Sequence, residues 1–116
     1  MIYKLSKQGM LHKNKNFQAV YRSGKSYANR MVVLYVLPNH TNARRIGFAA
    51  GKKLGGAVVR NRVKRLLRES YRLNQSQIIE GIDLIVVGRQ AAVKSDRMTV
   101  TRAFLNLCNK AKILVK

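Results

Sequence analysis

The feature that most restricts the fold is a long amphipathic segment in the middle of the chain, residues 57–73. On a helix of 3.6 residues per turn, its apolar and cationic side chains fall on opposite faces. One face comprises Val59, Val63, Leu66, Leu67 and Ser70, and the other comprises Asn61, Lys64, Arg65, Arg68 and Arg72, with Arg60 and Arg62 near the two borders. Such a helix has to bury its apolar face on a second layer, so the segment predicts a layered fold.

The chain before this segment predicts a short helix and two strands. Asn14 is expected to cap a helix that carries Phe17, Val20 and Tyr21 at helical spacing and ends at Gly24. Residues 27–37 are rich in Val, Leu and Tyr and predict a strand, and residues 45–51 predict a second one. The turn-forming residues between the two strands indicate an antiparallel hairpin.

The chain after this segment predicts one more strand and one more helix. Residues 82–88 form a short apolar run that indicates a strand, and Ser95 or Asp96 is placed to cap a final helix. The order α-β-β-(β)-α-β-α predicts an α+β sandwich in which helices cover one mixed sheet. With 116 residues, we expect a single domain over residues 1–116, with a flexible basic arm at residues 1–13.

The distribution of charge restricts the partner. Lys and Arg number 24 against four acids, a formal net charge of +20, and no acid precedes Glu69, although that stretch holds 16 of the 24 cations. A folded domain so one-sided repels itself unless it binds a polyanion. Nucleic acid is the first interpretation, and an anionic membrane surface is the weaker alternative.

The cationic face of residues 57–73 sharpens this interpretation. An ordinary solvated helix face mixes both signs through i, i+4 pairs, whereas this one holds Glu69 as its only acid. The planar guanidinium group of arginine can donate two parallel hydrogen bonds to phosphate oxygens, and it can stack on exposed bases. The face therefore favours a folded RNA over a merely solvated surface.

The same region resembles a known family. Arg60-Asn61-Arg62, followed by Val63-Lys64-Arg65-Leu66 and preceded by residues 52–58, resembles the signature of the bacterial ribonuclease P protein family. Residues 16–21 resemble that family's first helix, and residues 28–30 with 33–35 resemble its first long strand. The order of elements also agrees, so the resemblance covers nearly the whole chain.

The resemblance implies a fold similar to a domain of a small-subunit ribosomal protein, with a left-handed βαβ crossover. It implies a protein that binds a catalytic RNA subunit and assists removal of the 5′ leader from precursor tRNA, while the RNA holds the active site and its Mg²⁺. No residue of the chain would then be catalytic or bind a metal. The residues expected to face the catalytic RNA are Lys52, Lys53, Arg60, Asn61, Arg62, Lys64, Arg65 and Arg68.

The resemblance also implies a cleft for the single-stranded leader, with aromatic positions that match Phe17, Tyr21 and Tyr35. Aromatic faces stack on splayed bases without demanding a sequence. Spacing alone favours the other interpretation, because aromatic residues at i and i+4 of a helix usually belong to the core. The resemblance to the family instead favours leader binding by these three aromatic residues.

Other sequence features restrict the compartment and the rival functions. Cys108 is the only cysteine, and the longest apolar run, residues 31–37, is far shorter than a membrane span of about 20 residues. We expect a cytoplasmic protein with no membrane association and no obligate protein partner. A structural protein that binds ribosomal RNA remains the alternative, and a DNA-compacting protein would share the charge but prefer duplex.

Overall fold

The computed structural model describes residues 9–11 and 13–115, and this part of the chain forms one α+β domain. The helices and strands are α1 Asn14–Ser23, β1 Lys25–Ala28, β2 Val32–Pro38, β3 Arg44–Ala50, α2 Ala57–Arg72, β4 Ile82–Gly88 and α3 Arg97–Lys110. Short 3-10 turns lie at Lys52–Leu54, Gln75–Gln77 and Gln90–Ala92. The predicted class and the predicted order of elements are confirmed, including the third strand before the long helix.

The four strands form one mixed sheet in the order β1-β2-β4-β3. β4 runs antiparallel to β2 and parallel to β3, so β3, α2 and β4 make a βαβ unit of adjacent strands. Six of the seven β4 residues are buried. A strand covered on both faces belongs inside a sheet, which explains why the apolar β4 lies between β2 and β3. The left-handed sense of the crossover stays a prediction.

The predicted hairpin between β2 and β3 is wrong, because β4 separates them. The backbone N–H of Asn39 donates to the carbonyl of Gly81 (3.0 Å), and the N–H of Gly81 donates to the carbonyl of Ala43 (2.9 Å). The connection between β2 and β3 therefore holds the start of β4 between its two ends. Strands β2 and β3 follow one another in the chain but are not neighbours in the sheet.

The single strand predicted over residues 27–37 is also wrong, since it divides into β1 and β2. Asn29 causes the division: its Oδ1 accepts from the N–H groups of Met31 and Val32, both at 3.0 Å, and its Nδ2 donates to the carbonyl of Ala103 (3.0 Å). A side-chain amide that binds the local backbone competes with strand pairing. The chain turns there, and β1 pairs antiparallel with β2 at the edge of the sheet.

The helix caps follow the predictions in part. Asp96 caps α3, where its side chain accepts from the N–H of Thr99 (2.8 Å), and this hydrogen bond lowers the pKa of Asp96. Asn14 does not cap α1. Lys13 precedes that helix in an extended conformation with no side-chain hydrogen bond, and Asn14 is the first helical residue.

Two residues of the predicted arm, Met10 and Leu11, contact β3. Met10 forms a parallel bridge with Ile46, the N–H of Leu11 donates to the carbonyl of Ile46 (2.9 Å), and the Leu11 side chain is buried. Residues 10 and 11 are therefore held against β3, and the flexible arm predicted for residues 1–13 otherwise stays a prediction. Residues 1–8 and 12, which make up most of the predicted arm, lie outside the described residues.

Helices α2 and α3 pack on one face of the sheet and form the main core. The buried helix residues are Val63, Leu67, Ser70 and Tyr71 of α2, and Val100, Phe104, Leu107 and Cys108 of α3. Helix α1 packs on the opposite face over a smaller cluster that contains Leu11, Val20 and Ile85. Burial raises the pKa of the Cys108 thiol to about 12, so this cysteine is an unreactive core residue.

Candidate nucleic-acid interface

The side of α2 that faces away from the sheet carries four of the predicted RNA-binding residues, which we call the α2 ridge: Asn61, Lys64, Arg65 and Arg68. Asn61, Arg65 and Arg68 are exposed, and Lys64 is half-buried. On the opposite side of the helix, Val63 and Leu67 are almost completely buried against the sheet. This packing fixes the rotation of α2, so the cations form an ordered array.

The C-terminal limit of the α2 ridge is set by an ion pair. Arg72 Nε donates to Glu69 Oε2 (2.6 Å), and the hydrogen bond from Arg72 lowers the pKa of Glu69. Arg72 is half-buried, and its ion pair with Glu69 offsets its positive charge. The Arg68 guanidinium instead lies over the Phe48 ring, 5.8 Å from its centroid, a cation–π contact that orients it.

The two arginines at the borders of α2 occupy different surroundings from the α2 ridge. Arg62 donates through Nη1 to the carbonyl of Val93 and through Nη2 to the carbonyl of Ser95 (3.1 Å). These carbonyls lie just before α3, so Arg62 joins α2 to the start of that helix. Arg60 is half-buried, and its Nε is buried without a hydrogen-bond partner among the described residues.

The predicted lysines extend the basic surface beyond the N-terminus of α2. Lys52 and Lys53 are exposed on the 3-10 turn that follows β3. Gly55 then turns the chain into α2 with φ 143°, where a side chain would be strained and would press on Val59. This turn places both lysines directly before the helix that carries the α2 ridge.

On the other face of the sheet, α1 and β2 bring together the three predicted leader-binding residues, which we call the aromatic cleft: Phe17, Tyr21 and Tyr35. The Tyr21 and Tyr35 rings meet edge to face with centroids 4.9 Å apart, and the Phe17 and Tyr21 centroids are 6.5 Å apart. Tyr21 is 42% exposed, so it is not a core residue. Burial, and then the nearby Tyr35, raise the pKa of Tyr21, which keeps its ring neutral.

Sequence reasoning missed an ion pair on the same face of the sheet. Arg45 Nη2 donates to Asp83 Oδ2 (2.7 Å) and Arg45 Nε to Asp83 Oδ1 (2.9 Å), while Asn39 Nδ2 donates to Asp83 Oδ1 (2.9 Å). The hydrogen bond with Asp83 raises the pKa of Arg45. An acid inside an apolar strand signalled a buried partner. The identity of that partner follows only from the pairing of β3 with β4, because this pairing sets Arg45 opposite Asp83.

Residues 9–11 and 13–115 contain neither a cluster of metal-ligating side chains nor a membrane-spanning helix. That part of the chain holds no group of three or more His, Cys, Asp or Glu side chains placed to hold a metal ion. It also holds no helix long and apolar enough to cross a membrane. His40 is exposed in the turn between β2 and β3, and His12 lies outside the described residues.

Comparison with known proteins identifies the family. A family model described as Ribonuclease P matches residues 5–112, nearly the whole chain. The chain belongs to the ribonuclease P protein family. The ribonuclease P protein component of Natranaerobius thermophilus is 49% identical over 106 residues, which cover 91% of this chain and 92% of that protein.

Solved structures of ribonuclease P proteins share the fold. The Staphylococcus aureus protein superposes with a TM-score of 0.83 at 34% identity, covering 94% of this chain and 100% of that one. The Thermotoga maritima protein gives a TM-score of 0.79 at 30% identity, covering 87% and 96%. The chain is thus a protein subunit of ribonuclease P and takes part in tRNA processing as a component of that ribonucleoprotein.

For this ribonuclease P protein, Arg62→Ala is expected to reduce stability. The substitution removes two hydrogen bonds to loop carbonyls, which lowers the free energy of unfolding by about 1 kcal/mol. Urea unfolding followed by circular dichroism measures the change. Arg65→Ala is the matched control, and its free energy of unfolding should stay within about 0.5 kcal/mol of the parent. Equal stability of the two variants would contradict a structural role for Arg62.

Gly47→Ala is expected to disturb the aromatic cleft. A Cβ atom at Gly47 would lie 2.4 Å from Phe17 Cζ, so the ring has to move, at a cost of about 1 to 3 kcal/mol in unfolding free energy. Gly51→Ala is the control, because a Cβ there meets nothing within 4 Å. Thermal unfolding compares the two. If both variants unfolded at the parental temperature, the close packing of Phe17 on β3 would be disproved.

Proposed function

We propose that this subunit binds the catalytic RNA of ribonuclease P through the α2 ridge and the 5′ leader of precursor tRNA through the aromatic cleft. It thereby promotes endonucleolytic removal of the leader and formation of the mature tRNA 5′ end. The observation that carries the proposal is the placement of the two surfaces on opposite faces of one sheet. A domain built this way can hold two RNA molecules at once in a defined relative position.

The α2 ridge suits a structured RNA. Its guanidinium and ammonium groups lie along one rigid helix, with Lys52 and Lys53 extending the row at one end. Closely spaced phosphates of a folded RNA repel one another, and an ordered cationic row offsets that repulsion. Arg60 and Arg62 flank the row, and we propose that they contact the same RNA from its borders.

The aromatic cleft suits a single strand. The Tyr21 ring is partly exposed beside Tyr35, and both rings offer faces or edges to an unpaired base. Stacking on aromatic rings tolerates any base, which fits a subunit whose many substrates carry different leaders. A duplex presents its bases stacked and paired, so this cleft favours the leader over the folded tRNA body.

We assign the chemistry of cleavage to the RNA. Three of the four carboxylates support the protein fold: Asp83 binds Arg45 and Asn39, Glu69 binds Arg72, and Asp96 caps α3. The Mg²⁺ ions that phosphodiester hydrolysis uses would be held mainly by phosphates of the RNA subunit. The protein would supply positioning and charge neutralisation, working in the cytoplasm with precursor tRNA and no further obligate protein.

The test is cleavage of a 5′-labelled precursor tRNA at low Mg²⁺ by the catalytic RNA, with and without the protein. We expect the protein alone to be inert and the RNA to recover accurate cleavage when the protein is added. If saturating protein left cleavage unchanged, the proposal would fail. Binding to ribosomal RNA would then be measured, because a structural ribosomal protein is the alternative with the same charge and fold type.

A further inference from the structure

The loop that joins β4 to α3 lies beside α2 and carries an exposed lysine. The loop comprises residues 89–96, and its exposed lysine is Lys94. Strand β4 ends at Gly88, where an added Cβ atom would lie 2.4 Å from Val63 Cγ1. The strand therefore ends directly under the N-terminal half of α2, and the loop passes that part of the helix on its way to α3.

Arg62 holds this loop on both sides of Lys94. Its Nη1 donates to the carbonyl of Val93, and its Nη2 donates to the carbonyl of Ser95 (3.1 Å). These carbonyls belong to the residues immediately before and after Lys94 in the chain. Because one planar guanidinium group binds both of them, the backbone at Lys94 is fixed relative to α2. Arg62 is adjacent to Asn61 of the α2 ridge, so Lys94 is held at the border of that ridge.

The rest of the loop is ordered by contacts of its own. The N–H of Val93 donates to the carbonyl of Gln90 (3.1 Å), and the Ala92 side chain is completely buried. At the other end of the loop, Asp96 caps α3. A backbone that is anchored at both ends and in the middle has little conformational freedom to lose when Lys94 binds an anion.

The charge of Lys94 is available for a partner. Within the described part of the chain, no ion pair and no hydrogen bond involves its side chain. The acid nearest to it in sequence, Asp96, accepts a hydrogen bond from the N–H of Thr99 (2.8 Å) as the cap of α3. An exposed ammonium group on a rigid loop, next to a row of other cations, is suited to bind phosphate.

We propose that Lys94 contacts a phosphate of the catalytic RNA and that Arg62 is the residue that positions it. The inference rests on the proposed function of the α2 ridge and extends that interface to a second element of the fold. Phosphate contacts fix the orientation of a protein on a nucleic acid. A contact away from the axis of α2 would therefore prevent the RNA from turning about this helix. A guanidinium group has five N–H donors, so Arg62 keeps donors for an RNA contact of its own.

The first test is a double-variant cycle on binding of the catalytic RNA, measured across a salt series. Lys94→Ala should weaken binding about fivefold and make the log–log salt dependence less steep by about 0.7 to 0.9, the value for one phosphate contact. In an Arg62→Ala background, Lys94→Ala should change affinity by less than about twofold, because the loop no longer holds the lysine in place. Lys110→Ala is the matched control. Lys110 is an exposed lysine at the far end of α3, so its removal should leave affinity and salt dependence close to those of the parent.

A tethered probe tests the position of the loop independently of affinity. Cys108 is the only cysteine of the chain and is buried, so Lys94→Cys supplies a single reactive thiol for an iron chelate. In the reconstituted holoenzyme, hydroxyl radicals generated at this chelate should cut one short segment of the catalytic RNA. When Arg62→Ala is added, the cuts should become weaker and spread over a longer segment.

The outcomes separate this inference from the function on which it rests. If Arg65→Ala weakened RNA binding while Lys94→Ala changed neither affinity nor salt dependence, the lysine contact would be refuted and the α2 ridge would stand. If the losses from Lys94→Ala and Arg62→Ala were additive, or if the cuts stayed equally sharp in Arg62→Ala, Arg62 would not position the lysine. If neither Arg65→Ala nor Lys94→Ala changed RNA binding, the proposed function of the α2 ridge would fail together with the inference.

Discussion

Arg65→Ala is expected to weaken binding of the catalytic RNA by roughly 1–3 kcal/mol, the range for a lost charge-assisted contact. Arg65 is exposed at the centre of the α2 ridge, and no hydrogen bond joins its side chain to another described residue, so its removal leaves the fold intact. The log–log salt dependence of RNA affinity should become less steep by about 0.7 to 0.9, the value for one phosphate contact. Filter binding across a salt series measures both quantities.

The matched control for this prediction is Arg22→Ala. Arg22 is an exposed arginine at the end of α1, on the opposite face of the sheet. Arg22→Ala lowers the net charge by the same amount as Arg65→Ala. The comparison therefore separates the effect of the arginine's position from the effect of net charge. We expect a small loss of affinity from Arg22→Ala and a large one from Arg65→Ala. Equal losses would mean that RNA binding depends on net charge alone and that the α2 ridge is not the interface.

Tyr21→Ala is expected to weaken binding of leader-bearing precursor tRNA by about 1 to 3 kcal/mol, the contribution of one stacked base. Assembly with the catalytic RNA should be unaffected, because Tyr21 and the α2 ridge lie on opposite faces of the sheet. Binding of mature tRNA, which has no leader, should also be unaffected. Dissociation constants of the holoenzyme for the two tRNAs measure the difference.

Tyr21→Phe is the control for the ring itself. It keeps the stacking surface and removes only the hydroxyl, so leader binding should stay close to that of the parent. The raised pKa of Tyr21 means that its hydroxyl stays protonated at physiological pH, and leader binding should therefore not change with ionisation of this group. Equal losses for leader-bearing and leaderless tRNA in Tyr21→Ala would exclude the aromatic cleft as the leader site.

Periodicity was enough to predict the elements that carry a continuous pattern. Residues 57–73 alternate apolar and cationic faces with helical spacing, and α2 spans Ala57–Arg72 with Val63 and Leu67 buried as expected. The apolar run 82–88 coincides with β4. These predictions hold because burial of a helix face or of a whole strand follows from local composition. The Arg60-Asn61-Arg62 segment together with its flanking residues resembled the family's signature, and the family model that matches residues 5–112 confirms the resemblance.

Only the tertiary structure decided the strand order and the partners of individual side chains. β4 entered between β2 and β3 because it is buried on both faces, a consequence of where the helices pack. Arg62 and Arg65 have the same chemistry and lie three residues apart, yet Arg62 binds loop carbonyls before α3 while Arg65 faces solvent. The sequence determined which residues are apolar and which are charged. Contacts between residues far apart in the chain depend on how the layers pack, and local pattern does not encode them.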